Sequence, residues 1–207
     1  MDRDHLTSPH YIAFEGAEGA GKSSVVAMVG ERIAARGDRV VTVREPGGTP
    51  VGEAVRSILL DGHLHPGARS EATLFAAARA QLVSEVVLPA LEDGAWVLSD
   101  RSVYSSLAYQ AGGRGLPLDE VRELNDLALG GVWPHRVILL RVDRSVGLRR
   151  QDRGDRIGDE SDDFHDAVVD AFDALAAGEP DRFLVVDAMM DLDDVVDAVM
   201  GDLVGAP

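Results

Sequence analysis

A glycine-rich segment near the start of the sequence carries the residue types that bind phosphate. Gly16, four intervening residues and then Gly21-Lys22-Ser23 match the pattern G-x-x-x-x-G-K-S/T. In this pattern backbone N–H groups surround phosphate oxygens, the lysine reaches the outer phosphates, and the hydroxyl binds Mg²⁺. The pattern therefore predicts a nucleotide-binding loop formed by Gly16, Ala17, Glu18, Gly19, Ala20, Gly21, Lys22, Ser23 and Ser24.

The lysine of this loop is the one lysine among the 20 Lys and Arg residues of the chain. Because the sequence otherwise uses arginine for positive charge, Lys22 indicates a place where a compact ammonium on a flexible stem is required. The alternative, a glycine-rich turn with a chance lysine, does not account for that choice. We expect Lys22 to act on nucleotide phosphates during catalysis.

The loop must be positioned by the secondary structure on either side of it. Short apolar, β-branched runs alternate with segments of helical period, which predicts a mainly parallel, five-stranded sheet covered by helices on both faces, an α/β fold. The runs are residues 11–14, 40–43, 96–98, 137–140 and 183–186. The predicted helices are residues 24–35, 52–60, 70–91, 105–110, 118–129, 145–151, 162–177 and 192–204.

Composition limits the class of protein. A chain of 207 residues with 45% hydrophobic content can bury one good core, so we predict a polar tail over residues 1–10 and a single domain over 11–207. There are no cysteines, and the six histidines form no metal-binding pattern. No continuous apolar run approaches the roughly 20 residues that a membrane-spanning helix needs. We expect a soluble, cytoplasmic protein.

The net charge of −16 argues against nucleic acid or an anionic membrane as a partner. An ATPase that depends on nucleic acid is disfavoured for the same reason. A GTP-dependent switch protein would need an N-K-x-D motif after a strand, and the only lysine already lies in the phosphate loop. Any polyanion that this chain binds must therefore meet a local cluster of arginines.

Polar residues follow three of the predicted strands, at the sheet edge where ligands of parallel sheets bind. Glu15 follows the first strand, Glu45 the second and Asp100-Arg101 the third. We expect Asp100 to share Mg²⁺ with Ser23, directly or through water, and Arg101 to contact a phosphoryl group. The alternatives are a surface ion pair for Asp100-Arg101 and a cap or turn role for Glu45.

Arginines are concentrated in a glycine-interrupted stretch at about residues 149–161. A mobile lid that closes over ATP and brings an arginine to the transferring phosphoryl group has this composition. Arg153 and Arg156 are the preferred candidates, ahead of Arg149 and Arg150. The alternative is a solvated charged segment that is neutralised by the neighbouring aspartates.

An aromatic ring and a guanidinium lie one helical turn apart on the predicted long helix. Phe75 and Arg79 are four residues apart, so they face the same way. They could stack a nucleobase and hydrogen-bond its carbonyl, or Phe75 could simply belong to the core.

The motifs EGAEGAGKSS, REPGGTPVGEAVRSILL, LFAAARAQLVSEVVLPAL, DRSVYSSLAYQAGGRG and DRIGDES, in this order and spacing, closely resemble the thymidylate kinases. These enzymes transfer the γ-phosphate of ATP to dTMP. The resemblance runs over about residues 11–204. It implies the three-layer fold of P-loop nucleoside monophosphate kinases, ATP and Mg²⁺ as cofactors, dTMP as acceptor, and a homodimer. Another P-loop nucleotide or deoxynucleoside kinase is the alternative.

The resemblance also implies residue roles around the phosphates. Lys22 and Ser23 handle the ATP phosphates and Mg²⁺, and Glu15 lies beside the acceptor's sugar and the reacting phosphates. Arg56 and Arg101 hold the acceptor phosphate. The full substrate-binding set implied in this way is Glu15, Glu45, Arg56, Phe75, Arg79, Arg101, Ser106, Tyr109 and Gln110.

Within that set, Phe75 stacks on thymine, Arg79 bonds its carbonyl, Ser106 faces the base edge and Tyr109 closes against C2′ of the sugar. Members of the family carry the catalytic cation either inside the phosphate loop or in the lid. The loop interior, Ala17-Glu18-Gly19-Ala20, has no positive charge. The resemblance therefore implies a catalytic arginine in the lid, and the choice among the lid arginines stays open.

Overall fold

A five-stranded, fully parallel sheet organises the computed structural model, which describes residues 10–142, 146 and 156–205. The strands are β1 (Tyr11–Glu15), β2 (Val40–Arg44), β3 (Trp96–Asp100), β4 (Arg136–Arg141) and β5 (Phe183–Asp187). Their order across the sheet is β2-β3-β1-β4-β5. The predicted strands and the α/β fold class are confirmed, and each strand extends one or two residues beyond its predicted apolar run.

Helices cover both faces of the sheet. They are α1 (Lys22–Ala35), α2 (Pro50–Leu60), α3 (Ala68–Leu82), α4 (Leu88–Glu92), α5 (Val103–Ser106), α6 (Leu118–Leu129), α7 (Asp162–Gly178) and α8 (Leu192–Val204). A π-helical segment, Val83–Val87, joins α3 to α4, and a second one, Leu107–Gly113, continues α5. The helix predicted over residues 145–151 lies outside the described residues except for Val146.

The buried strands explain the apolar runs in the sequence. Successive residues of a strand point to opposite faces, so Tyr11 and Ala13 pack into one core while Ile12 and Phe14 pack into the other. The first core lies under α3, α4, α6 and α7, and the second lies under α1 and α8. Because both faces are covered, the strands read as continuous apolar runs and not as an alternation.

The long helical rod from Ala68 to Glu92 is 25 residues long, with a mean hydropathy of 1.4 in its most apolar window. By length and composition it could cross a membrane, so the expectation that nothing in the sequence approaches such a span needs correction. However, 44% of that window is buried inside the protein, and Leu82, Val87 and Leu91 belong to the core. A core helix satisfies the same test, so this helix is weak evidence for a membrane span.

Proline explains the change of helical period in this rod. The ring of Pro89 would clash with the carbonyl four residues earlier in a regular α-helix. The π-helical segment precedes Pro89 and widens the turn at that point. The rod therefore continues through the proline, as predicted, by changing its hydrogen-bond pattern.

The carboxyl ends of β1, β2 and β3 are aligned at one edge of the sheet. Asp100 is in register with both Phe14 and Arg44. The Arg101 N–H donates to the Phe14 carbonyl, and the Glu45 N–H donates to the Asp100 carbonyl, each at 3.0 Å. These bonds carry the strand alignment into the loops, which brings the polar residues after the three strands together.

Candidate active site

Glycine conformations shape the phosphate loop between β1 and α1. Gly16 has φ 137°, and a Cβ at this position would lie 2.4 Å from the Leu140 carbonyl oxygen. Gly21, the N-cap of α1, has φ 83°, in the left-handed region. A side chain is strained at both positions, so the loop needs glycine there. The phosphate loop leads into α1 at Lys22, and the N–H groups at this end of the helix favour the binding of anions.

Lys22 bends back over its own loop. Its Nζ donates to the carbonyl oxygens of Gly16 at 3.0 Å and Ala17 at 2.9 Å. The side chain is buried, and this burial, together with the nearby positive charge of Arg101, lowers the pKa of Lys22 to about 7. The ammonium therefore lies in an environment that favours an incoming anion.

Ser23 and Asp100 meet across the sheet edge, 77 residues apart in sequence. The Ser23 hydroxyl donates to Oδ2 of Asp100 at 2.5 Å. A hydroxyl and a carboxylate are hard oxygen ligands, which suit Mg²⁺. No cluster of three or more acidic, His or Cys side chains among the described residues could hold a metal ion. A cation between Ser23 and Asp100 would thus complete its coordination with phosphate and water, as Mg²⁺ commonly does.

Arg101 adopts a backbone conformation that is rare for a side-chain-bearing residue, with φ 71°. The surroundings hold it there, because its carbonyl accepts from the Ser99 hydroxyl at 2.6 Å and its N–H bonds β1. Its guanidinium carbon lies 5.1 Å from the centroid of the Tyr109 ring, and Nη1 donates to Ser105 Oγ at 3.3 Å. Strain of this kind is concentrated at functional sites.

Glu15 is fully buried at the end of β1 and is bound by the start of α5. Its carboxylate accepts from the hydroxyls of Ser102 at 2.7 Å and Ser105 at 2.6 Å, and from the Ser105 N–H at 3.1 Å. Burial raises its pKa, against the opposing effects of the Ser105 hydrogen bond and the Arg101 charge. Sequence reasoning missed Ser102 and Ser105 as partners, although Ser102 at a helix N-cap is a common signal.

A cleft opens beside the phosphate loop and encloses about 540 Å³, part of it open to solvent. Six of the predicted substrate-binding residues line it: Arg56, Phe75, Arg101, Ser106, Tyr109 and Gln110. Glu18 of the phosphate loop, Pro46 and Ile157 complete much of the wall. The Ser106 hydroxyl is buried without a hydrogen-bond partner in the described part of the chain, so it offers an unused polar group in the wall.

Three predicted binding residues, Glu15, Glu45 and Arg79, lie behind this wall instead of lining it. Arg79 is 1% exposed and donates from Nε to Glu45 Oε2 at 2.7 Å and from Nη2 to the Ser102 carbonyl at 3.1 Å. Its Nη1 also donates to Asn125, a partner that no sequence pattern predicts. Burial raises the pKa of Glu45, and the Arg79 charge opposes the rise.

The predicted lid is described only at its C-terminal end. Arg153, with Arg149 and Arg150, lies outside the described residues. Arg156 is 9% exposed on its side chain and donates from Nη2 to Glu71 Oε2 at 2.6 Å and from Nε to the Leu59 carbonyl at 3.0 Å. In this structure Arg156 is engaged with α2 and α3.

Comparison with known proteins bears on what this arrangement does. Residues 14–199 match the family model described as Thymidylate kinase. The chain is 42% identical to a thymidylate kinase of Staphylococcus haemolyticus over 190 residues, covering 90% of this chain and 93% of the relative. It is 46% identical to one from Clavibacter sepedonicus over 182 residues, covering 86% of each.

The chain belongs to the thymidylate kinase family. A crystal structure of thymidylate kinase from Ehrlichia chaffeensis superimposes with a TM-score of 0.80 at 28% identity, covering 95% of this chain and 98% of that one. The predicted family, the P-loop nucleoside monophosphate kinase fold and the assignment as an ATP-dependent nucleoside monophosphate kinase are thereby confirmed. The roles of individual residues stay predictions.

Proposed function

We propose that this thymidylate kinase family member transfers the γ-phosphoryl group of Mg·ATP to the 5′-phosphate of dTMP, giving ADP and dTDP. The observation that carries the proposal is the position of the cleft. A pocket with two arginines, two aromatic rings and an unused buried hydroxyl opens directly beside the phosphate loop, with Glu18 in the wall of the pocket. Donor and acceptor phosphates would therefore meet at one sheet edge.

On the donor side, Lys22 exchanges its two loop carbonyls for phosphate oxygens, and the loop N–H groups surround them. Ser23 and Asp100 would hold Mg²⁺. When bound, the ion supplies positive charge that offsets the negative charge developing on the phosphates. The short Ser23–Asp100 hydrogen bond keeps both oxygen ligands together at the mouth of the loop.

On the acceptor side, Arg101 and Arg56 bind the acceptor phosphate. Arg56 is already oriented by a 2.9 Å hydrogen bond to the Pro46 carbonyl. The Phe75 ring stacks on the base, and Tyr109 packs against the sugar. Ser106 and Gln110 offer hydrogen bonds to polar atoms of the base.

The residues behind the wall have supporting parts in this proposal. Glu15 and Glu45 orient groups around the acceptor, and Glu15 fixes Ser105, which in turn touches Arg101. The proposed bond from Arg79 to a base carbonyl would use N–H donors beyond the three that already have partners, since a guanidinium has five.

In the transfer step the bond from the γ-phosphorus to the ADP oxygen breaks while an acceptor phosphate oxygen forms the new bond. The acceptor phosphate is already ionised, so no general base is required, and the protein contributes positioning and charge. Arg153 and Arg156 are the proposed lid cations. Arg156 would reach the transferring group only by exchanging Glu71 for phosphate.

The acidic surface that follows from the net charge of −16 supports a small-molecule enzyme without nucleic acid or membrane partners. A cytoplasmic location and a homodimer complete the proposal, by analogy with the family.

The test is ADP release from Mg·ATP with dTMP, dUMP, dGMP, dCMP or AMP as acceptor. We expect dTMP to dominate and dUMP to be poor but measurable, because a pocket that recognises one methyl group gains only about 1–3 kcal/mol. Lys22→Ala should abolish activity, whereas Arg36→Ala, which removes an exposed cation at the other end of α1, should not. Equal kcat/KM for dTMP and AMP would contradict the proposal.

A further inference from the structure

Glu71, in the first turn of α3, is a buried carboxylate outside the phosphate-binding groups, with its side chain 1% exposed. It accepts hydrogen bonds from Gln110 Nε2 at 2.9 Å, from Arg114 Nε at 3.1 Å and Nη2 at 3.0 Å, and from Arg156 Nη2 at 2.6 Å. The Glu71 carboxylate therefore joins α3 to two segments that are distant in sequence, one with Gln110 and Arg114 and the other with Arg156.

Each of these partners connects to the cleft or to the end of the lid. Gln110 lines the cleft, as does Ile157, the residue after Arg156. Arg114 also pairs with Glu160 at 2.6 Å, and its guanidinium lies 4.5 Å from the centroid of the Phe164 ring on α7. The acceptor wall, the end of the lid and α7 are thus fastened at one point.

The charges of this cluster balance, because Glu71 and Glu160 face Arg114 and Arg156. Burial alone would raise the pKa of Glu71, but the hydrogen bonds from Arg114, Gln110 and Arg156 outweigh it and hold the pKa below its usual value. Glu71 is consequently ionised at neutral pH, and removing its charge would leave two partly buried guanidinium groups, those of Arg114 and Arg156, each short of one partner.

We propose that Glu71 is a positioning residue that fixes Arg156 at the end of the lid and Gln110 in the wall of the acceptor cleft at the same time. The kinetic part of this inference rests on the proposed function. The structural part, that Glu71 holds Arg156 in place, does not. Losing the carboxylate should loosen both contacts while the donor side, on α1 and β3, is untouched.

The structural part is tested by limited trypsin digestion of the full chain, with Glu71→Gln beside a matched control, Glu120→Gln. Glu120 also binds an arginine, Arg69, but on the exposed surface. Mass spectrometry follows fragments that begin at Ile157, which report release of Arg156. Fragments cut after the fully buried Arg79 report unfolding of the whole protein.

We expect cleavage after Arg156 to rise by about fivefold or more in Glu71→Gln, with cleavage after Arg79 unchanged and the control like wild type. An unchanged rate after Arg156, or a parallel rise after Arg79, would overturn the proposal. If Glu71→Gln does not fold, Glu71→Asp keeps the charge and shortens the reach. It should then show the same selective release of Arg156, and its failure to do so would equally count against the idea.

The kinetic part compares KM and kcat. Glu71→Gln should raise KM for dTMP by about tenfold and leave KM for ATP within about twofold of wild type. Glu71→Gln should also change kcat, and in an Arg156→Gln background the same substitution should affect kcat little, because Glu71 acts on kcat through Arg156. Equal losses for both substrates would indicate a merely structural carboxylate. If wild type does not use dTMP, the proposed function fails while the digestion result still stands.

Discussion

Binding of Mg·ATP should make this protein take up a proton at Lys22. The Nζ is buried against two carbonyls, and burial with the Arg101 charge lowers its pKa to about 7. Phosphate oxygens around the ammonium favour its charged form and raise the pKa again. The free protein is therefore largely neutral at Lys22 above neutral pH, and the complex is protonated.

The magnitude follows from this pKa. Lys22 is about half protonated at about pH 7 and about one-tenth protonated at about pH 8, so binding takes up about 0.5 and about 0.9 proton respectively. Because protonation is linked to binding, the apparent Kd for Mg·ATP should rise about fivefold from pH 7 to pH 8 and approach about tenfold per unit above that. The sign is fixed, since affinity falls as the pH rises.

Isothermal titration calorimetry with a non-hydrolysable ATP analogue measures the effect without turnover. The titration is repeated at about pH 8, where the nucleotide is fully ionised, in buffers of different ionisation enthalpy. The slope of binding enthalpy against ionisation enthalpy gives the number of protons taken up. Lys22→Arg is the matched control, because arginine stays charged in proteins and has no proton to gain. A slope near zero in wild type, or equal slopes in wild type and Lys22→Arg, would refute the reasoning.

Two further predictions concern the loop and the layer behind the cleft. Gly16→Ala should lower the free energy of unfolding in urea by about 1–3 kcal/mol and abolish nucleotide binding in calorimetry. The reason is that φ is 137° at this position and a Cβ would lie 2.4 Å from the Leu140 carbonyl oxygen. Gly62→Ala is the control and should do neither, because the space around its Cβ is open. Arg79→Leu should cost about 3–5 kcal/mol of unfolding free energy by leaving Glu45 buried without its cation, and adding Glu45→Leu should recover part of the loss. An unchanged unfolding free energy together with a raised KM for dTMP would instead show that Arg79 acts on the base alone.

The elements that the sequence predicted best are those whose signal is local. The strands appear as apolar runs because both faces of each are buried, and the rule that ligands bind beyond the strand ends brought Glu15, Glu45 and Asp100 to one edge. Helix boundaries follow less directly from the sequence, because they depend on single capping residues. Helix α1 begins at Lys22 and not at Ser24, since Gly21 in the left-handed region acts as its N-cap.

Partners made by tertiary contact could not be predicted in the same way. Asn125 and Glu71 lie within helices, and nothing local marks them as the groups that hold Arg79 and Arg156. Ser102 can be recognised as an N-cap, but nothing local indicates that its hydroxyl binds Glu15. The sheet and helices around an arginine decide whether it lines the cleft or lies behind the wall of the cleft. Spacing placed Phe75 and Arg79 on one helix face, but only Phe75 lines the cleft.

Cationic side chains in this acidic chain differ in the partners that they bind, and this difference separates those that can bind phosphate from those that stabilise the fold. Arg79 and Arg156 are each bound to a buried carboxylate, at 2.7 Å and 2.6 Å. Lys22 is bound by two neutral carbonyls, and Arg101 by a hydroxyl with only a loose 3.9 Å contact to Glu18. A phosphate can replace neutral partners with a net gain in attraction, whereas it must compete with an existing charge at a carboxylate pair. Lys22 and Arg101 are therefore ready to bind a polyanion, whereas Arg79 holds the wall around it and Arg156 would have to leave Glu71 before it could contact phosphate.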